Sequence, residues 1–341
     1  MTRRIVVLGG HGFFGGAAVE RLRADGAQPL TAARRPGADL QVDAEDPRSL
    51  RAALRPGDVV VDTLGPFQTR TMALLDAALE VGFDLIDIAD SRAYVAQVYA
   101  REAHIAARGV RVLTACSSIS AVSAALVRLS GIAAPVRVTG FLAPATRFTS
   151  NPGSARSLLG SVGRPVSIVH EGVLATRTGW RETRRFQMPP PIGAVQGHLF
   201  ESADAVCLPR LWPSLRRVDF YVDSRVPGLN ALFSLAARWG WLQRLLLRFI
   251  KPGLFLVRPL GSAVGCLAFE IEAGDGRVVG YALLAAERGY LTPIVPAVLA
   301  ARAIAEGRFA PTGLVPADQH VDADELLGYL RALGVTLAPM G

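Results

Sequence analysis

Lysine is almost missing from this chain: of 37 basic residues in 341, only Lys251 is lysine. That excludes every mechanism that needs a second lysine. It also excludes the Tyr-x-x-x-Lys proton relay of short-chain dehydrogenases, since none of the tyrosines 94, 99, 221, 281, 290 and 329 has a lysine four positions on. Cysteine is nearly as scarce. Cys116, Cys207 and Cys266 are odd in number and widely spaced, which argues against a disulfide framework or a cysteine zinc site and for a reducing, cytoplasmic setting. The five histidines (11, 104, 170, 198, 320) show no metal-ligand spacing, so no metal is expected. No charge-free apolar run reaches the ~18–20 residues that a membrane-spanning helix needs. Ile5–Leu8, behind the basic start, is too short for the core of a signal peptide. Acid is thin in the middle of the chain. Residues 137–258 carry a net +11, residues 1–136 a net +1 and residues 259–341 a net −4.

What is present is a globular composition, 50% hydrophobic and 19% charged, well outside the disordered regime. Over the first ~130 residues, short apolar strands alternate with amphipathic helices. The strands expected are Arg4–Leu8, Pro29–Ala33, Leu40–Val42, Asp58–Asp62, Leu85–Ile88 and Val110–Thr114. The helices expected between them are Ala17–Ala24, Pro47–Leu54, Met72–Val81 and Ala93–Ala107. This pattern predicts an α/β fold whose N-terminal part is a Rossmann, doubly wound parallel sheet. After Ala134-Pro135 the apolar runs lengthen (Val136–Leu142, Val166–Leu174, Val218–Val222, Cys266–Ile271, Val278–Leu284), as expected of an inserted, mixed α/β second domain. Pro293–Ala305 and Asp322–Leu333 read as further helices. The expected division is 1–133 for the nucleotide-binding domain, 134–288 for a basic, Trp-containing substrate or dimerisation domain, and 289–341 for a segment returning to the first.

The strongest chemical signal is Gly9-Gly10-His11-Gly12-Phe13-Phe14-Gly15-Gly16, between a strand and a helix. Its glycines fit the dinucleotide fingerprint: they permit a tight turn and let amides approach a pyrophosphate at the helix N-terminus. The second strand ends in Ala33-Arg34-Arg35, with no carboxylate for a ribose 2′-hydroxyl and two guanidiniums suited to a 2′-phosphate. That predicts NADP (NADPH) over NAD. Asp43, after the third strand, is in place to hold the adenine amino group.

Four pieces, taken in order, resemble the saccharopine dehydrogenase-like (saccharopine reductase-like) NADP-binding family. They are the glycine loop, Ala33-Arg34, Asp58-Val-Val-Val-Asp-Thr-Leu-Gly65-Pro66-Phe67, and Gly82-Phe-Asp-Leu-Ile-Asp87-Ile-Ala-Asp90. The end of the chain from Gly289-Tyr290-Leu-Thr292-Pro293 is similar too. The resemblance implies a Rossmann domain, an inserted domain and a returning C-terminal segment, with Gly65, Pro66 and Phe67 beside the cofactor. The chain departs from the saccharopine-forming reductases at Thr114-Ala-Cys116-Ser117-Ser118-Ile-Ser120, which lacks their Asp-Pro-Gly. The resemblance therefore carries the cofactor half without the lysine-pathway substrate.

The nicotinamide of such a domain lies over the carboxyl ends of the fourth to sixth strands. That makes Asp90, Arg92 and Ser117 candidates for substrate contact, with Asp90 alternatively a helix cap. Cys116 is a candidate reactive thiol or a packed side chain, and Tyr290 a candidate proton donor or a packed tyrosine. Ser154 and Arg156, at a helix start, are candidates for an anionic substrate group or an ordinary capped helix. Residues 229–250 read as one apolar helix, with Arg244, Arg248 and Lys251 at helical spacing. Its destinations are a core, a homodimer contact or a peripheral membrane contact through 229–251; nucleic acid is not expected, as no binding module surrounds the arginines. The expected activity is NADP-dependent hydride transfer, without metal, to or from a small or lipid-like substrate. The alternative is a non-catalytic NADP-binding or membrane-peripheral, lipid-associated protein.

Overall fold

The computed structural model describes residues 3–340. The chain divides into two compact units, the first running to Val122 and resuming over Leu291–Leu326, the second comprising Ser123–Tyr290 and the residues from Leu327 on.

In chain order the first unit has strands β1 (Ile5–Leu8), β2 (Leu30–Ala33), β3 (Leu40–Gln41), β4 (Val59–Asp62), β5 (Asp84–Asp87) and β6 (Arg111–Leu113). The second unit has β7 (Pro135–Ala143), β8 (Pro165–His170), β9 (Val173–Thr178), β10 (Thr183–Met188), β11 (Gly193–Phe200), β12 (Arg217–Val222), β13 (Gly265–Ala273) and β14 (Val278–Ala285). Two further strands follow, β15 (Gly313–Leu314) in the first unit and β16 (Thr336–Met340) in the second.

The first sheet has the order β15-β6-β5-β4-β1-β2-β3, with every pairing parallel. This is the doubly wound arrangement expected, with β15 added at one edge. The order reverses between β1 and β4, the switch point at which such sheets bind ligands. The central strands carry continuous apolar runs because both faces are covered: all four residues of β1, β4 and β5 are buried. The helix Val295–Ala305 is buried on nearly every side and serves as a core element. Asp58 stands just before β4 and Asp84 opens β5, and each is held by guanidinium: Arg4 on Asp58, and Arg3 and Arg111 on Asp84. Asp62 and Asp87 close the same strands, directly opposite one another in register.

The second sheet has the order β10-β11-β12-β7-β13-β14-β16, with β8 and β9 joined through β12. It is mixed: β12 is parallel to β7, and the other pairings are antiparallel. Gly140, in the middle of β7, makes room for two rings, since a Cβ there would stand 2.3 Å from Phe220 Cδ2 and 3.0 Å from Phe269 Cε1. A separate apolar cluster centres on Trp180, which stacks on His198 at 4.7 Å and meets Phe233 edge-on at 5.1 Å.

Several boundaries differ from those expected. Val166–Leu174 is not one strand but the start of a hairpin, because Glu171 and Gly172 both adopt positive φ (52° and 80°) and turn the chain back. Ala93–Ala107 is two helices, Arg92–Tyr99 and Glu102–Arg108. The segment 289–341 does not return as one piece. Leu291–Leu326 adds β15 to the first sheet, whereas β16 pairs with β14 and covers the edge of the second sheet, with Leu337 opposite Leu283. Residues 229–250 do not form one helix. They run as Leu229–Ala236 and Gly240–Arg248, followed by Ile250–Leu260. The breaks fall at Trp239 and Phe249, where the backbone leaves helical values (φ −122°, ψ 94° and φ −106°, ψ 27°). Just before the first break, Ala237 is pinned by a close backbone approach: a Cβ on Gly163 would stand 2.8 Å from its Cα.

Candidate cofactor site

The loop Gly9–Gly12 joins β1 to the helix Phe13–Ala24, and three glycines in it, with Gly15 in the helix, leave no room for a side chain. Gly9 has φ +79°, and a Cβ there would meet Thr63 Oγ1 at 2.9 Å. Gly10 lies against Thr31, with 3.0 Å to its Cβ. A Cβ on Gly12 would stand 3.0 Å from the Gly9 carbonyl oxygen, and one on Gly15 only 2.1 Å from that same oxygen. The helix therefore sits directly on the loop. The turn is closed by Gly12 N–H donating to Gly9 O at 2.7 Å and tied to β2 by Gly9 N–H donating to Ala32 O at 2.9 Å. Thr63, after β4, braces it from the other side by donating to Leu8 O at 2.7 Å. No side chain caps this helix and no acid occupies its first turn, so its positive end faces outward without a competing anion. The helix begins at Phe13, earlier than expected, and His11 and Phe13 are exposed while Phe14 is half-buried.

Arg34 and Arg35 follow β2 directly, and both are exposed. The backbone of Arg34 is steadied by Gln41 Nε2 donating to its carbonyl at 3.1 Å. The nearest acid in sequence, Asp39, is exposed but engaged: its Oδ2 accepts from both the N–H and the hydroxyl of Thr31, at 2.7 Å each. Those bonds hold its carboxyl below the usual range. Asp43 is half-buried and spends one carboxylate oxygen on the Glu45 N–H at 3.0 Å, a local turn.

The loop after β4 is organised from within. Asp62, fully buried, accepts from Leu64 N–H at 2.9 Å and pairs with Arg70 at 3.1 Å. Gly65 and Pro66 reach the surface side of this loop, but Phe67 does not. Its ring is buried and meets Tyr94 edge-on at 5.2 Å between centroids, so it is a packing residue rather than a face for a ring to lie on.

Asp87 does the corresponding work for two loops at once. Its Oδ1 accepts from Ala89 N–H at 3.0 Å and from Ala115 N–H at 2.9 Å, binding the loop after β5 to the loop after β6. Ala115 has φ +54° and Ser120 φ +78°, left-handed values that are unfavourable for residues bearing a Cβ, so this loop is held in a strained form. The other oxygen, Oδ2, is buried near the Thr114 hydroxyl, and the Tyr94 hydroxyl is buried without a hydrogen-bond partner among the described residues. Burial pushes the Asp62 carboxyl up to about 6 against the opposing pull of Arg70. It pushes Asp87 likewise up to about 6, outweighing the Ala115 and Ala89 amides. The Tyr94 hydroxyl is driven well above its ordinary range, first by burial and then by Asp87 and Asp62.

Asp90 and Arg92 are half-buried in the same first unit, Asp90 accepting from Gln68 Nε2 at 3.3 Å. The helix cap expected of Asp90 is supplied instead by Ser91, which accepts from Tyr94 N–H. Of its two expected roles Cys116 has the packed one: it is fully buried and tied to Asp87 through its backbone N–H at 2.8 Å. Burial first and Asp87 second push its thiol well above the ordinary value, which disfavours a reactive thiolate. Cys207 and Cys266 are buried too, so the native protein is expected to show no fast reaction with a thiol reagent at mildly alkaline pH, and three thiols once unfolded. A rapidly titrating native thiol would contradict this placement. Ser117 is buried, its N–H donating to Ala115 O.

The remaining candidates lie in the second unit. Ser154 is part of a helix cap, its N–H donating to Asn151 Oδ1 at 3.0 Å and its hydroxyl accepting from Asn151 Nδ2 at 2.9 Å; Arg156 is exposed. Tyr290 is half-buried in the short turn Gly289–Leu291. Among the described residues there is no group of histidine, cysteine and acid that could hold a metal ion, and no helix long and apolar enough to cross a membrane.

Residues 5–114 match the saccharopine dehydrogenase NADP binding domain family. No curated protein sequence matches the chain. Among solved structures, the fold is similar to apo saccharopine dehydrogenase (L-Glu forming) from Saccharomyces cerevisiae, with TM-score 0.63, 15% identity and coverage of 99% of this chain and 100% of that one. A weaker likeness is to a meso-dapdh mutant from Clostridium tetani E88, with TM-score 0.46, 11% identity and coverage of 96% and 98%. Another is to myo-inositol 2-dehydrogenase from Lactobacillus plantarum, with TM-score 0.45, 9% identity and full coverage of both chains, 100% each. Residues 5–114 thus carry the sequence of a saccharopine dehydrogenase NADP binding domain, and the whole chain has a fold similar to that of saccharopine dehydrogenase.

Proposed function

We propose that the chain holds NADP(H) in the first unit, in preference to NAD(H), and catalyses direct hydride transfer to or from a small or lipid-like substrate. The observation that carries this reading is the glycine cradle. It is so tight that one added carbon at Gly15 would strike the Gly9 carbonyl, and no first-turn acid or side-chain cap competes for the helix N-terminus above it. The pyrophosphate fits against the N-terminus of the helix Phe13–Ala24, and the exposed Arg34 and Arg35 suit a 2′-phosphate where a carboxylate would suit a bare ribose. Bound there, NADPH supplies the hydride. The protein's own part is positioning. Thr63 and Asp62 shape the loop after β4. Asp87 fixes the two loops that follow β5 and β6, at the carboxyl ends where the reacting ring of such cofactors lies.

Fluorescence titration with NADPH and NADH, on wild type and Arg34→Ala, tests the cofactor assignment. Losing one charge-assisted contact, worth about 1.5–3 kcal/mol, is expected to weaken NADPH binding roughly 10- to 100-fold. NADH binding should be weak in both proteins and unchanged by the substitution. Equal affinity of wild type for the two cofactors would overturn the NADP preference, and failure to bind either would remove the hydride-transfer reading with it. A panel of carbonyl, imine and enoyl compounds, followed by NADPH oxidation, then narrows the substrate class.

A further inference from the structure

Residues 224–269 contain six basic residues (Arg225, Arg238, Arg244, Arg248, Lys251, Arg258) and not one acid. The three helices Leu229–Ala236, Gly240–Arg248 and Ile250–Leu260 lie within this stretch. Their inner sides are accounted for: Phe233, Ala236 and Ile250 are buried in the cluster around Trp180, with Leu242, Leu246, Leu247 and Leu254 packed against it. Gln243 is buried as well and donates to Leu159 O at 2.9 Å.

The outer sides are the unusual part. Among the described residues, eight of the fourteen exposed large hydrophobic side chains fall between positions 235 and 260. Phe255 is 80% exposed, Leu256 67%, Leu260 62% and Trp241 57%. Trp239 and Trp241 stand with their rings nearly parallel, 6.4 Å apart and 14° from coplanar, on the solvent side. In the second helix, Trp241, Arg244, Leu245 and Arg248 form one outward stripe at spacings of three and four, cation beside apolar group. Arg258 is committed, donating twice to Ser150 O at 2.7 and 3.1 Å. Arg238, Arg244, Arg248 and Lys251 are exposed, and none is in an ion pair among the described residues.

A continuous apolar surface is costly in water, and one that interleaves tryptophan with unpaired cations and excludes acid has a specific complement. Tryptophan is most stable at headgroup depth, phenylalanine and leucine just below it, and arginine among lipid phosphates. We propose that this helical surface of the second unit docks on the headgroup layer of an anionic lipid bilayer. Phe255 and Leu256 enter the acyl boundary, Trp239 and Trp241 sit at the interface, and Arg238, Arg244, Arg248 and Lys251 meet the lipid phosphates. The proposal stands apart from the cofactor reading, and its test uses neither NADPH nor turnover.

The full chain is floated with vesicles of phosphatidylcholine alone and of phosphatidylcholine mixed with phosphatidylglycerol, at low and high salt. Wild type is expected to float with the mixed vesicles at low salt, to be released as salt rises, and to bind neutral vesicles weakly. Its tryptophan emission should shift to the blue on binding. Each cation near such a surface is worth about a fivefold change in affinity, so reversing three in Arg244→Glu/Arg248→Glu/Lys251→Glu should weaken binding by about a hundredfold or more. A separate pair, Phe255→Ser/Leu256→Ser, should keep the salt dependence and lose the insertion. Absence of binding to mixed vesicles at low salt would overturn the proposal. So would equal binding to neutral vesicles, or full binding by the charge-reversed protein. Sedimentation of wild type is the remaining arm: a stable dimer that Phe255→Ser/Leu256→Ser converts to monomer would show that a second copy covers this surface, and the lipid assignment would fall. Salt dependence in wild type alone decides the matter should any variant fold poorly.

Discussion

Gly15→Ala is expected to abolish tight NADPH binding, lowering affinity by about a hundredfold or more, and to destabilise the first unit by roughly 1–3 kcal/mol. The added methyl would lie 2.1 Å from Gly9 O, 2.6 Å from Gly9 C and 2.6 Å from Thr63 Oγ1. Two of those three atoms are backbone and cannot rotate away. The Gly9 carbonyl is occupied by the Gly12 N–H, the Gly9 N–H by Ala32, and the Thr63 hydroxyl by Leu8 O. Relief therefore requires the helix to lift off the loop by more than an ångström, and that motion takes the amides away from the phosphates they would hold. Gly16→Ala supplies the contrast one residue on. A Cβ there would meet Gly10 O at 3.5 Å, an ordinary contact, within a helix where alanine is preferred to glycine by roughly 0.5–1 kcal/mol. That variant should bind NADPH normally and melt no lower than wild type. Parallel NADPH titrations and thermal melts of the two variants make the test. If Gly15→Ala binds as wild type does, the cradle is not where the cofactor lies.

That contrast also marks how far the residues alone could lead. The parallel core was readable because buried strands carry continuous apolar runs, and the glycine loop because few sequences place that spacing between a strand and a helix. The absence of an acid after β2 was visible too, but its completeness was not. Asp39 was available to that region until the turn at Gly37 folded it onto Thr31. Phe67 and Cys116 each left two readings open because both sit at the carboxyl ends of strands, and the one turns under its loop onto Tyr94 while the other is sealed beside Asp87. No local pattern reports which way a side chain turns after a strand ends. The same limit applies to the clamp by Asp87, since Ala115 lies 28 residues away and becomes its partner only when β6 takes its place beside β5. The destination of β16 depends likewise on which sheet has a free edge, and the split of 229–250 on the approach of Gly163 to Ala237.

Asp87→Asn should change how stability depends on pH. In wild type the folded carboxyl is raised to about 6, chiefly by burial, whereas an unfolded aspartate titrates near ~3.9. Between those values the folded protein binds a proton that the unfolded chain has already released. Stability therefore falls as pH rises through this window, and by about pH 7 Asp87 opposes folding by ~3 kcal/mol relative to its protonated form. Asparagine presents an oxygen of the same shape to Ala89 N–H and Ala115 N–H and carries no charge at any pH. It also relieves Asp62, which the charge of Asp87 opposes across the paired strand ends. The stability of wild type relative to the variant should drop by ~3 kcal/mol from about pH 4 to about pH 7, with the variant the more stable above neutrality. For a unit of this size, that is a crossing of melting curves by roughly 10 °C. Melts of both proteins across the range measure it directly, and a difference that stays constant with pH would show that the Asp87 carboxyl titrates in the folded state as it does in the unfolded chain. Cofactor binding adds a second reading. If Asp87 acts only by holding Ala89 and Ala115, the variant should retain NADPH affinity within a fewfold at every pH. A loss of turnover at constant affinity would instead show that the charge of Asp87, buried beneath those loops, is needed for the hydride step itself.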